Sequence, residues 1–169
     1  MKKIQMLYYS GAGNTKFIAS IIEELLIKRG HVVNSIRITE KGIDFLQNNF
    51  DILFVGFPTY FRDAPSLIYK ALDKLSGEKR PIMIFMSRGL YSGNTFKLVH
   101  KKALEKEFAP IGFLNLFMPG PDLLTSAIKE NSFFKKLGTS VYSRNLYKKI
   151  NNFIDKMDEG KVIKYVHTK

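Results

Sequence analysis

Residues 4–30 read IQMLYYSGAGNTKFIASIIEELLIKRG, and this stretch decides the fold. Its apolar run at 4–9 has the length of a strand, and residues 15–29 repeat apolar side chains at helical spacing. Phe17, Ile18, Ile21, Ile22, Leu25 and Leu26 are expected on one broad apolar face, with Gly30 ending the helix. Between the two lies SGAGNT, residues 10–15. It offers two glycines for close backbone approach, the hydroxyls of Ser10 and Thr15, the Asn14 amide, and the unpaired N–H groups of a helix start. Those groups hold phosphate, and a plain capped glycine turn needs neither Ser10 nor both glycines.

The pattern continues along the chain. Residues 32–38, 52–57, 82–86 and 111–118 read as further strands, 52–57 apolar on both faces as buried parallel strands require. Helices are expected at 43–48, from a cap at Asp63 with Pro65 in the first turn to Gly77 beyond the end, at 94–108 and at 143–157. Strands alternating with helices predict an α/β fold, a doubly wound five-stranded parallel sheet of order 2-1-3-4-5. Two stretches stand outside that scheme. Residues 119–142 are long for a connection, with Phe133 and Phe134 suited to a small extra helix, and 161–169 form a basic tail. The expected domain is therefore 1–160, followed by the tail.

Composition removes several function classes. The chain of 169 residues has no cysteine, so it can build no disulfide, iron-sulfur cluster, zinc-thiolate site or cysteine nucleophile. That is compatible with a cytoplasmic location. The N-terminus lacks a signal-peptide pattern, and no apolar run approaches the 18 or so residues of a membrane span. His31, His100 and His167 are scattered without acids at ligand spacing, so surface positions and no metal site are expected. A hydrolase G-x-S-x-G elbow is absent, as is the acidic cluster that a phospho-receiver domain carries after its first strand, where Tyr8, Tyr9 and Ser10 stand. The net charge of +12 favours acidic partners or anionic ligands. No nucleic-acid motif accompanies it, since the aromatics fall within apolar runs and do not alternate with Lys and Arg.

Spacing narrows the kind of phosphate. A triphosphate loop requires a glycine directly before Lys-Ser or Lys-Thr; here Thr15 precedes Lys16. Gly11 and Gly13 begin a dinucleotide fingerprint, but Lys16 occupies the third glycine position and no acid closes the second strand. A terminal monophosphate held inside a hydroxyl-rich turn remains.

The motif S-x-x-G-x-T-x-x-x-A, at Ser10, Gly13, Thr15 and Ala19, resembles the phosphate loop of flavodoxins. With GFPTYFRDAP at 56–65 and SRGLYSGN at 87–94, the chain is similar up to about Gly160 to the flavodoxin domain of fused flavodoxin-ferredoxin proteins. The resemblance implies non-covalent FMN, with Ser10, Gly11, Ala12, Gly13, Asn14 and Thr15 at its phosphate. It implies Pro58, Thr59, Tyr60, Phe61, Arg62 and Asp63 beside the ring, and Ser87, Arg88, Gly89, Tyr91 and Gly93 in a third loop. Tyr60 supplies an aromatic surface in a proline-fixed loop, and Tyr91 one for the opposite ring face. The implied activity is electron transfer with a redox partner protein, ferredoxin-like or a reductase, whose surface the basic charge predicts to be acidic. One feature departs from electron-carrier flavodoxins: residues 57–63 contain no glycine to let a peptide turn toward the flavin N5. P-T-Y followed by Ala64-Pro65 and Leu72-Asp73 also resembles NAD(P)H-dependent FMN and quinone reductases, which pass electrons in pairs. A flavin-free binding module on the same fold is a third possibility.

Overall fold

The computed structural model describes residues 1–43, 46, 48–60, 63–89, 93–118 and 141–162. Strands β1 (Lys3–Tyr8), β2 (Val32–Arg37), β3 (Ile52–Pro58), β4 (Pro81–Arg88) and β5 (Ala109–Phe117) form one sheet ordered β2-β1-β3-β4-β5. Every neighbouring pair is parallel. Helices α1 (Asn14–Lys28), α2 (Ser66–Lys74), α3 (Thr95–Glu105) and α4 (Val141–Glu159) complete the described elements. The expected doubly wound topology is present, with strand ends displaced by one or two residues where pairing extends past the apolar run.

Side-chain alternation divides the core into two layers. Ile4, Met6, Phe54, Met83 and Phe85 face α1 and α4, meeting Ile18, Ile22, Ile150, Phe153 and Ile154. Leu7, Leu53, Val55, Phe57, Ile84 and Met86 face the other way, toward Ile68, Ala71 and Leu72 of α2 and Val99 and Ala103 of α3. Burial on both faces is why β3 and β4 read as unbroken apolar runs. Because β1 and β3 are neighbours whose connections leave toward opposite faces, their carboxyl ends open a crevice where ligands bind in such sheets.

Several local expectations are corrected. Phe17 is not part of the buried face of α1; it is 51% exposed, while Thr15 and Ala19 complete that face instead. Asp63 does not cap α2. Pro65 is the boundary residue, and proline disfavours helical geometry in the residue before it, so the helix starts at Ser66. The Asp63 carboxylate accepts the Ala64 N–H at 2.7 Å and the Tyr69 hydroxyl. Burial, reinforced by that hydrogen bond, raises the Tyr69 pKa above the usual tyrosine range.

Gly77 does not end α2, whose boundary residue is Leu75. It is glycine because the chain after α3 passes against it: its N–H donates to Lys106 O at 2.7 Å, and an added Cβ would lie 2.2 Å from the Phe108 nitrogen. His100 is not at the surface. It is buried, with its ring 5.5 Å from that of Phe96. His31 is half-buried and burial lowers its pKa, while its Nδ1 accepts the Lys2 N–H. Half of the expected helix at 43–48 lies outside the described residues, as do Phe133, Phe134 and His167.

Candidate functional site

The turn at 10–13 connects β1 to α1 and is built by its glycines. Gly13 precedes the first helical residue with φ of 94°, a left-handed conformation that a Cβ would strain. Neither Asn14 nor Thr15 caps the helix. Ser10 does so from outside it, its Oγ accepting the Lys16 N–H at 3.2 Å. A hydroxyl has one proton and two lone pairs, so Ser10 keeps its proton to donate elsewhere. The first turn of α1 holds no acidic residue, which leaves the positive end of the helix free of a competing carboxylate.

Thr15, 1% exposed, points back under the loop and shares a 2.8 Å hydrogen bond between its Oγ1 and the Oγ of Ser87, which is 3% exposed. One of the two hydroxyl protons is taken up between them, and the other is available to a ligand. This pair joins the first loop to the end of β4. The second loop is fixed to the same strand, since the Thr59 N–H donates to Ser87 O at 3.0 Å. Tyr60 then turns back: its N–H donates to Asp63 O and its carbonyl accepts the Asp63 N–H, both at 2.8 Å.

The Tyr60 ring meets Tyr9 edge to face at 6.3 Å, and its hydroxyl lies over the first loop. A Cβ on Gly11 would come within 2.5 Å of that oxygen, so Gly11 permits the two loops to close on each other. Burial raises the Tyr60 pKa, with Tyr9 adding to the effect. Arg37, the last residue of β2, reaches the loop from the other side; its Nη2 donates to Ser10 O at 2.8 Å.

These elements enclose a pocket of about 210 Å³ lined by Ser10, Gly11, Ala12, Asn14, Thr15, Pro58, Thr59, Tyr60, Ser87, Arg88, Gly89 and Met118. Three loops that are distant in sequence thus converge at one end of the sheet. Gly89 presents open space where a Cβ would stand, and Arg88 donates from Nη1 to Gly89 O at 3.1 Å. Of the residues expected from sequence, Gly13 and Gly93 do not line the pocket. Both have positive φ and shape the turns that start α1 and α3. Phe61 and Tyr91 lie outside the described residues, as does Arg62.

Met118 and Arg37 were not legible as site residues. Met118 reads as the end of an apolar strand, and Arg37 as one of 27 basic residues. No group of three or more His, Asp or Glu among the described residues is placed to hold a metal ion. A second depression, lined by Glu40, Ile43, Leu67, Lys70, Asp73 and Lys74, is larger at about 430 Å³ but brings together no loop from the carboxyl end of β1 or β4.

No protein-family model matches the chain. A curated flavodoxin from Clostridium beijerinckii is 40% identical over 53 residues, which are 31% of this chain and 38% of that protein. Solved structures align over far more. Oxidised flavodoxin 1 from Bacillus cereus has a TM-score of 0.64 at 16% identity, covering 92% of this chain and 97% of its own. An archaeal flavodoxin scores 0.65 at 17% identity, over 94% and 98%. A Fusobacterium nucleatum flavodoxin bound to flavin mononucleotide scores 0.63 at 16% identity, again over 94% and 98%. With its strand order of 2-1-3-4-5 and its crevice at the ends of β1, β3 and β4, the chain has the flavodoxin fold.

Proposed function

We propose that the pocket binds FMN and that the chain is a flavodoxin-like electron-transfer protein. The observation that carries this reading is the convergence of the SGAGNT turn, the Pro58–Tyr60 segment and the Ser87–Gly89 segment on one cavity. The residues suit the group. Ser10 and the Thr15–Ser87 pair have hydroxyl protons to offer a phosphate beside the acid-free start of α1. Tyr60 provides a flat apolar surface, and backbone at Gly89 is open to a polar ring edge. At about 210 Å³ the cavity is smaller than the roughly 300 Å³ of an enclosing small-ligand site, so a bound FMN would extend beyond it.

When bound, FMN supplies the redox chemistry; the protein's part is to grip the phosphate and fix the ring. Tyr91 and Phe61 belong to this proposed site from their motifs. The same motifs make the flavodoxin domain of fused flavodoxin-ferredoxin proteins the proposed relationship, with residues 1–160 as the binding unit. Purified protein is expected to bind FMN one to one at micromolar concentrations, read by quenching of flavin fluorescence and by calorimetry. Full free fluorescence with no heat of binding would defeat the proposal.

A second reading, an NAD(P)H-dependent flavin or quinone reductase, is favoured by the glycine-free loop. Both polar groups of the Tyr60 backbone are engaged by Asp63, so a peptide rearrangement at Tyr60 of the kind that supports one-electron exchange would break a hydrogen bond. Reductive titration of the FMN complex is therefore expected to show little blue, long-wavelength absorbance. Abundant blue colour would return the protein to ordinary carrier behaviour, and rapid NADPH oxidation with a quinone would favour the reductase.

The proposed partner is an acidic redox protein, and the proposed location is the cytoplasm, which a cysteine-free sequence permits. No helix among the described residues is long and apolar enough to cross a membrane. Arg88 on the pocket wall and the net charge of +12 would steer the encounter. Electron transfer to an acidic ferredoxin should then slow steeply as salt rises past about 0.1 M, where screening acts within roughly 10 Å. A rate indifferent to salt would place the charge away from the docking face.

A further inference from the structure

We propose that Arg37 is a positioning residue that makes the pocket selective for a ligand ending in a phosphate dianion over the same ligand without it; this rests on the reading of the pocket as an FMN site. Arg37 stands at the carboxyl end of β2, in register with Tyr8 of β1, and its side chain crosses that end of the sheet to donate from Nη2 to Ser10 O. The residue does not line the pocket, so it acts without touching the ligand, by holding the loop and by its charge beside it.

Two physical consequences follow from that one hydrogen bond. In a planar trans peptide the C=O and N–H groups point in opposite directions. Fixing the Ser10 carbonyl on Arg37 therefore fixes the Gly11 N–H, which belongs to the same peptide and to the pocket wall, on the side away from the guanidinium. The bond also ties the partial negative charge of a carbonyl beside the loop to a full positive charge, which removes a repulsion an incoming dianion would meet. Glycine at position 11 makes this necessary, since a residue without a Cβ does not hold its peptide by itself.

The charge of Arg37 is not consumed by the protein. Among the described residues it forms no ion pair, whereas Arg29 and Arg80 are matched with Asp155 and Glu78. Its guanidinium is thus a positive charge set beside the turn at the start of α1, on the opposite side from the Thr15–Ser87 pair. The oxidised ring and the sugar chain carry no net charge for it to act on, whereas a terminal phosphate does.

The test compares FMN with riboflavin, which lacks the phosphate. Arg37→Gln keeps a neutral donor for Ser10 O, removes the charge, and is expected to weaken FMN about tenfold, the scale on which one charge acts on a nearby dianion in a partly exposed site. Riboflavin affinity should change by less than about twofold. The salt dependence of FMN binding should flatten in this variant. Lys156→Gln, on α4 next to the Asp155 that pairs with Arg29 at the carboxyl end of α1, removes the same unit of charge and should change neither ligand.

Riboflavin binding also serves as the check that Arg37→Gln is folded. Equal losses for both ligands would assign Arg37 a merely structural part and overturn the inference, as would unaltered FMN affinity and salt dependence. Wild-type protein that binds no FMN would overturn the cofactor reading together with this one. Wild-type binding with an indifferent Arg37→Gln overturns this inference alone.

Discussion

Gly56→Ala is expected to destabilise the protein by about 3 kcal/mol, near the upper end of what overpacking costs. Gly56 of β3 is paired in register with Phe85 of β4, and the Phe85 ring lies across the glycine. An added Cβ would stand 2.1 Å from Cζ and 2.2 Å from Cε2 of a side chain that is completely buried. The ring has nowhere to retreat, because it is packed in the layer beneath α1 and α4. The damage would extend to the site, since Gly56 O accepts the Tyr9 N–H just before the SGAGNT turn.

Thermal unfolding should fall by roughly 6–12 °C for a chain of this size. Gly89→Ala, where the added atom meets nothing within 4 Å, should leave unfolding nearly unchanged. Adding Phe85→Leu to Gly56→Ala should recover part of the loss, giving a coupling of about 1 kcal/mol or more in a double-mutant cycle. A Gly56→Ala protein as stable as wild type would show that the two strands separate more easily than their packing implies.

Thr15→Val should produce the largest loss of ligand affinity. The substitution keeps the shape of a side chain that is 1% exposed, so it removes a hydroxyl without opening a cavity. What disappears is the Thr15 hydroxyl, one of the two donors of the pair, and with it the hydrogen bond that orients the Ser87 hydroxyl. Hydrogen bonds to charged groups are worth about 1.5–3 kcal/mol, so FMN should bind roughly tenfold to a hundredfold more weakly. Riboflavin should be affected far less.

Ser87→Ala tests the same geometry from the other strand. It leaves Thr15 its own proton, as Thr15→Val leaves Ser87 its own, and because Thr15 stands in the first turn of α1 the loss for FMN should be smaller than with Thr15→Val. If both variants weakened FMN and riboflavin equally, the pair would be a structural clasp between β4 and α1, and the phosphate would belong elsewhere in the pocket.

The sequence by itself determined the sheet and the general address of the site. Apolar runs at 4–9, 52–57 and 82–86 have the length of strands, 52–57 is apolar on both faces, and their alternation with helical spacing points to parallel connections. Short-range chemistry also made the loops visible: glycines, hydroxyls and a proline cluster where strands end. What such reasoning assigns poorly is the individual part each residue plays within a turn. Ser10 and Thr15 both read as phosphate groups, yet Ser10 also caps α1 and Thr15 is tied to Ser87, 72 positions later.

Only the tertiary structure decided those partnerships, because they are contacts between elements that local propensity does not connect. Asp63 has every sequence attribute of a helix cap but serves Tyr69 and the Ala64 N–H. Gly77 looks like a helix terminator and is instead the space through which the chain after α3 passes. His100 looks like a surface residue because its neighbours Lys97, Lys101 and Lys102 are basic, but its own position on α3 turns inward beside Phe96. Arg37 is indistinguishable in the sequence from the other basic residues. Parallel pairing of β2 with β1 carries its side chain to the Ser10 carbonyl, and that pairing sums sheet-wide packing that no local stretch of sequence contains.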